Sequence, residues 1–213
     1  MIDGAEEARL TFAGALSGLP QTGAVTVFDI GGGSTEIVHG SRGAHERAIA
    51  QAVSLNIGSV RLFERHVSSD PPNTAAMEAV ALDIRDALRS APRASRSEHG
   101  EASTTLVGVA GTVTQLAALE LELERYDSSR VHGYTLTRGA VERLATRLAS
   151  LDLAQRRALP GMEPARADVI VVGSAIARAV LEWSGATELI VSDRGVRWGL
   201  AEESAARLSA SSG

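Results

Sequence analysis

The chain has 213 residues, 44% of them hydrophobic, and a formal charge of −5, enough apolar material for one large or two small globular domains. It has no cysteine and no lysine: all 21 basic residues are arginine. These absences exclude a disulfide framework, a thiolate nucleophile or metal site, a Walker-type P-loop and Schiff-base chemistry. The acidic balance excludes a basic nucleic-acid footprint. The absence of cysteine fits a cytoplasmic protein, and from the acidic start and the short apolar runs neither a signal peptide nor a membrane span is expected.

Asp3-Gly-Ala-Glu6 has the spacing of a capping box and opens a helix with Ala8, Phe12, Ala15 and Leu16 near one face, ending about Gly18-Leu-Pro20. Glu6 thereby has a structural role. Glu7 has none, and on residue grounds alone it is a solvated acid favoured by the helix dipole.

Ala24 to Gly40 reads as a β-hairpin around Asp29-Ile-Gly-Gly-Gly-Ser-Thr-Glu36. Glycines permit positive φ and close backbone approach, so this turn can offer an anion nest of N–H groups. An adjoining aspartate can hold a divalent cation such as Mg²⁺, which takes few carboxylates beside phosphate oxygens and water. A Rossmann or P-loop turn must run from strand into helix, whereas this one runs into a strand. Three glycines between Asp29 and Ser34 also exceed what a plain two-residue hairpin needs.

A third strand is expected over His45–Leu55, from the alternation of Ala48, Ala50, Ala52 and Ser54. A turn into a short helix follows at Asn56–Arg65, with Arg61 and Arg65 on one face. A longer helix spans Thr74–Leu88, and the small, polar stretch Ser90–Ser103 is a surface loop. Thr104–Ala117 reads as strand, small-residue turn at Gly108–Gly111 and helix, a second candidate phosphate contact. An extended Val131–Thr135 then leads into a helix Arg138–Leu148 and a turn at Leu159-Pro-Gly161. A buried helix runs from Arg166 to Trp183. A strand Glu188–Ser192 and a helix from Arg194 close the fold. The five histidines are scattered, without metal-site spacing, and Ser34 lacks the surroundings of a hydrolase nucleophile.

Gly4–Leu10, Asp29–Glu36, Gly58–Leu62, Gly108–Thr112, Arg166–Gly173 and Ser192–Arg197, in this order and spacing, together resemble the exopolyphosphatase / guanosine pentaphosphate phosphatase (Ppx/GppA) family. The resemblance spans essentially the whole chain. It implies an α/β fold: a ribonuclease H-like lobe of the actin / sugar kinase / heat-shock ATPase superfamily, with a mixed sheet flanked by helices. It implies a lobe-linking helix over residues 1–20 that carries Glu7, a lobe over 21–208 and a flexible tail over 209–213. It also implies hydrolysis of the terminal phosphoanhydride of inorganic polyphosphate or guanosine pentaphosphate with Mg²⁺. Glu7 would then be the catalytic base, Asp29 and Glu36 would arrange metal and water, and Gly31, Gly32, Gly33 and Ser34 would bind phosphate. Arg166 and Arg197 would contact substrate. This chemistry is mostly positioning and charge stabilisation, which the residue set can supply.

Two departures stand out. Family members begin with another lobe bearing its own Asp-x-Gly phosphate loop, so the chain is expected to be the C-terminal lobe alone. Trp198 also stands where the family commonly has glutamate. The alternatives are a catalytically incomplete phosphate- or nucleotide-binding lobe, one that self-associates into a homodimer, and an ATP-using enzyme of the same superfamily. No nucleic-acid or membrane partner is expected.

Overall fold

The computed structural model describes residues 4–43, 47–93 and 104–211, with side chains as far as Ala205. Helix α1 (Gly4–Ala15) precedes an antiparallel meander of β1 (Gly23–Ile30), β2 (Thr35–Arg42) and β3 (Arg47–Leu55). Helices α2 (Ser59–His66) and α3 (Thr74–Ser90) follow, then β4 (Thr105–Val109) and α4 (Ala110–Glu120). Next come α5 (Ser128–Val131), β5 (Thr135–Thr137), α6 (Arg138–Ser150) and α7 (Leu153–Arg157). A 3-10 turn at Pro164–Arg166 precedes α8 (Ile170–Ser184), β6 (Glu188–Val191) and α9 (Val196–Ser211).

The six strands form one mixed sheet in the order β3-β2-β1-β4-β6-β5. Strands β1, β4 and β6 run parallel at its centre, and β2, β3 and β5 run antiparallel to their neighbours. Parallel strands need crossovers that cover the faces, so the central strands are buried on both sides. The larger core fills one face, where Phe28, Ile37, Val113, Leu116, Ile176 and Val180 pack beneath α3, α4, α6 and α8. The smaller core holds Phe12, Leu16, Val25, Val27 and Val107 beneath α1. The layering is therefore helix, sheet, helix.

Helix α1 is held against α9 by close backbone approach. A Cβ on Gly14 would meet Gly195 and Gly199 backbone, and one on Gly199 would meet the Leu10 carbonyl. Phe12, Ala15 and Leu16 are buried as the helical pattern predicts, and Ala8 is partly so.

Several boundaries differ from expectation. The capping residue Asp3 lies outside the described residues, and Glu6 pairs with Arg9 at 2.8 Å. Strand β3 is an edge, and its alternating alanines are exposed along with the residues between them, so its period carries no burial. Gly108 and Val109 belong to β4, which passes into α4 directly through Ala110 at φ 67° instead of through a turn. Helix α8 begins at Ile170, not Arg166: the Asp168 carboxylate accepts from the Val169 N–H at 2.8 Å after the proline-led 3-10 turn. Val131 ends a helical turn instead of opening an extended stretch. Helix α9 continues to Ser211, past the expected start of the tail.

Candidate active site

The strand pairing puts Asp29 directly opposite Glu36. Two like charges across an antiparallel pair are unfavourable in sheet packing, yet both side chains open onto one cleft. Glu7 and Thr11 of α1 and Ser54 of β3 also line this cleft, whose volume is about 540 Å³. The Ser54 hydroxyl donates to the Glu36 carboxylate at 2.8 Å, fixing one oxygen. Burial, followed by the charges of Glu36 and Glu7, pushes the Asp29 carboxyl from 3.8 up to about 6. Among the described residues no basic side chain lines the cleft.

The glycine turn follows at once, and α2 determines how it faces. The Gly31 carbonyl accepts from Ser59 N–H at 3.0 Å, and the Gly32 carbonyl from Val60 and Arg61 N–H at 3.0 and 2.9 Å. The Gly33 carbonyl accepts from Arg61 Nε at 2.6 Å. In a trans peptide the C=O and the next N–H point in opposite directions. The amides of Gly32, Gly33 and Ser34 therefore all point away from α2, and no backbone carbonyl among the described residues accepts from them. Three N–H groups presented side by side form an anion nest.

None of the three glycines has positive φ, so left-handed backbone is not why they are glycines. Close approach accounts for Gly31 and Gly32, whereas a Cβ on Gly33 would make only an ordinary contact, 3.6 Å from Arg61. A Cβ on Gly32 would come within 3.3 Å of Val60, and one on Gly31 within 3.2 Å of the Ser34 carbonyl, which itself accepts from Gly31 N–H at 2.9 Å. Gly58 completes the fit, because a Cβ there would lie 2.5 Å from the carbonyl carbons of both Gly32 and Gly33.

Beyond the turn lies a second cleft of about 560 Å³ lined by Gly31 and Gly32, the first turn of α4 (Ala110, Gly111, Thr112), Glu163 and Arg166. The α4 N-cap, Val109, offers no side-chain cap, so the N-terminal amides of this helix remain for a ligand. Arg166 packs where a Gly111 side chain would be, and no carboxylate among the described residues pairs with it. The end of β1 thus separates a cleft of three acids from one of amides, a guanidinium and the Glu163 carboxylate.

The structure therefore brings Glu7, Asp29 and Glu36 into one cleft and Gly31, Gly32 and Arg166 into its neighbour. Gly33 and Ser34 complete the turn between strands. Arg197 is exposed on the first turn of α9 and lines neither cleft. Arg61 and Arg65 part company: the first holds the turn, and the second pairs with Asp83 at 2.8 Å. Among the described residues no three His, Cys, Asp or Glu side chains gather as a metal cage. The acidic cleft instead offers hard carboxylate oxygens without a protein counter-charge, a donor set suited to a cation that completes its shell with phosphate and water.

The Ser192–Arg197 stretch acts as a brace behind the site. Asp193 accepts from the Ser128 hydroxyl and lies 3.1 Å from His132 Nδ1. Arg194 donates to Ser17 at 3.2 Å and stacks 4.4 Å from the centre of the Trp198 ring. Burial and the Arg194 charge hold His132 below its ordinary imidazole value. These contacts tie α5, the end of α1 and α9 together, and so fix the helix that carries Glu7.

A family model described as the Ppx/GppA phosphatase family matches residues 1–208. The chain belongs to that family. It is 38% identical over 206 residues to exopolyphosphatase 2 of Mycobacterium tuberculosis, covering 94% of this chain and 62% of that protein. It is 30% identical to a bifunctional 3-dehydroquinate synthase/phosphatase of Fusobacterium nucleatum, covering 90% of this chain and 28% of the other. The crystal structure of the Aquifex aeolicus Ppx/GppA family member superposes with a TM-score of 0.84 at 31% identity, over 97% of this chain and 64% of that one. The chain thus spans less than two thirds of the length of these relatives. Its fold is that of one lobe of the actin / sugar kinase / heat-shock ATPase type, with which the mixed sheet between helix layers is consistent. Among the described residues no helix is long and apolar enough to cross a membrane.

Proposed function

We propose that this Ppx/GppA chain serves hydrolysis of the terminal phosphoanhydride of inorganic polyphosphate, with guanosine pentaphosphate as the alternative substrate bearing the same terminal group. The observation that carries the reading is the pair of adjoining clefts at the end of β1, one holding three carboxylates and no basic side chain, the other holding backbone amides and the Arg166 guanidinium beside a single carboxylate, Glu163. Amides of the Gly31–Ser34 turn, the α4 N-terminus and Arg166 would hold the phosphate run. The acids would meet water on the other side.

In that arrangement Glu7 accepts the proton of the attacking water, and α1, pinned by α9, fixes its position. Asp29 and Glu36 are the residues that would hold Mg²⁺, with the Ser54 hydroxyl orienting Glu36. The cation, when bound, supplies charge to the phosphate oxygens. The turn amides and Arg166 stabilise charge on the terminal phosphoryl group, the main demand of this reaction. The test is phosphate release from long-chain polyphosphate with Mg²⁺, comparing the wild-type chain with Glu7→Gln. A drop of about 100-fold or more is expected from losing a general base; equal rates would remove Glu7 from its role.

One observation favours a second reading, a lobe that binds phosphate and pairs with another protein surface. Ile49 borders a groove of about 310 Å³ between α1, β3 and α9, and it is exposed, as are Trp198 and Leu200. Polyphosphate binding without release, together with concentration-dependent dimerisation in sedimentation, would support this reading over the first.

A further inference from the structure

A fourth depression, of about 670 Å³, runs between α3 and the C-terminal half of α8, above the large core. Arg85 and Arg89 stand one helical turn apart on α3, and Arg93 follows four residues later. Arg178 lines the same groove from α8. Among the described residues Glu182 is the single carboxylate in the lining, 3.9 Å from Arg178. Arg89 lies 3.2 Å from Asp86 on an exposed face. Arg85 and Arg93 meet no carboxylate among the described residues. In a chain of net charge −5, four guanidiniums thus share one groove with one acid.

The rest of the lining is not that of a solvated helix face. Ile84 and Leu88 are buried beneath the arginines, and the partly buried Trp183 also lines the groove, its ring 6.1 Å from His39. Like charges one turn apart weaken a helix, and a purely structural surface gains nothing from gathering them over a concave apolar floor. The volume lies within the roughly 300–1,000 Å³ of small-molecule sites. The groove is also separate from the clefts at β1. No residue lines both, and along α8 the groove's lining begins at Ala175, six residues or about 9 Å beyond Val169 of the second cleft, and reaches Trp183 about 20 Å beyond it.

We propose that this groove binds a nucleoside polyphosphate at a site distinct from the phosphate clefts. Its phosphates meet Arg85, Arg89, Arg93 and Arg178, whose planar donors suit phosphate oxygens. Its base lies against Trp183 and the apolar floor. A bare phosphate chain would use the arginines but gain nothing from the tryptophan, and that difference selects the nucleoside form.

The chain has two tryptophans, Trp183 and Trp198, so Trp198→Phe leaves Trp183 as the only indole reporter. ATP titrated into that protein should change its emission saturably. Followed by the same Trp183 emission, which reads the groove and not the phosphate clefts, tripolyphosphate should bind about tenfold more weakly, the contribution of one base–aromatic stack. Arg85→Gln with Arg89→Gln, both exposed positions, should weaken ATP about 100-fold, as expected for losing two charged contacts. Trp183→Leu, followed by calorimetry, should equalise ATP and tripolyphosphate. Glu7→Gln should leave the titration unchanged, which separates this site from the proposed hydrolytic one. Equal ATP affinity in the wild type and the double-arginine variant would overturn the proposal. So would tripolyphosphate binding as tightly as ATP in the wild type, or loss of the titration in Gly33→Val.

Discussion

Replacing Asp29 by Asn should separate stability from function. The wild-type carboxyl is raised from 3.8 to about 6 by burial and by Glu36 and Glu7, so the folded state binds this proton more tightly than the unfolded chain does. The stabilisation this gives is fully present below about pH 4, is lost as pH rises through about 6, and is absent above. At 1.36 kcal/mol per unit the loss is about 3 kcal/mol. Solvent reaching the partly exposed carboxyl lowers the measurable part to about 1–3 kcal/mol.

Asn cannot titrate, so the informative quantity is the pH dependence of the difference between the two proteins. Any packing cost of the amide cancels from it. Denaturant unfolding without divalent cations, from pH 4 to pH 8, should show Asp29→Asn gaining about 1–3 kcal/mol on the wild type as pH rises. That corresponds to a relative melting-temperature shift of several degrees in a chain of this size. Mg²⁺ at pH 8 should then stabilise the wild type more than the variant, because a bound cation offsets the acids that raise the carboxyl. A difference that is flat across the range would refute the account of an acid cluster lacking protein counter-charge. Equal responses to Mg²⁺ would refute Asp29 as a metal-side carboxylate.

Gly58→Ala should destabilise the chain by about 1–3 kcal/mol, measured by chemical denaturation, and weaken tripolyphosphate binding, because its Cβ would push on Gly32 and Gly33. Arg156 is 2% exposed and donates to the carbonyls of Ala167, Leu148 and Leu151 and to Asp70. Arg156→Ala should cost about 3–5 kcal/mol in the same assay by orphaning them, while Asp70→Asn should cost less because Asp70 remains partly in water.

The sequence showed the hairpin and the long helices because their signals are local. Val25, Val27, Phe28, Ile30, Ile37 and Val38 of the Ala24–Gly40 hairpin are buried in the sheet, and Asn73 caps α3 through its side chain at 2.9 Å from Ala76 N–H. Of the acids of the first cleft, Asp29 was legible from its place beside the glycines, and Glu7 and Glu36 only through the family resemblance. Their meeting depends on the strand register and on the α1–α9 crossing, which no local pattern states. Arg156 was missed for the same reason: one arginine among 21 carries no mark of burial until the carbonyls around it are in place. Strand β3 failed in the other direction, since alternation predicts a buried face only where something covers the strand.

The reason for the glycines narrowed most. Positive φ and close backbone approach were the two expected explanations; none of the three has positive φ, and close approach holds at Gly32 against α2 and at Gly31 against the Ser34 carbonyl. Gly58, Ser59, Val60 and Arg61 take every carbonyl from Gly31 to Gly33 or leave room for them. Trans peptide geometry then turns the amides the other way. The proposed phosphate nest would therefore be a property of two segments about 25 residues apart in the chain, and the Gly58–Leu62 and Asp29–Glu36 motifs meet structurally as one unit. A change in either should reach phosphate through the orientation of the same three peptides.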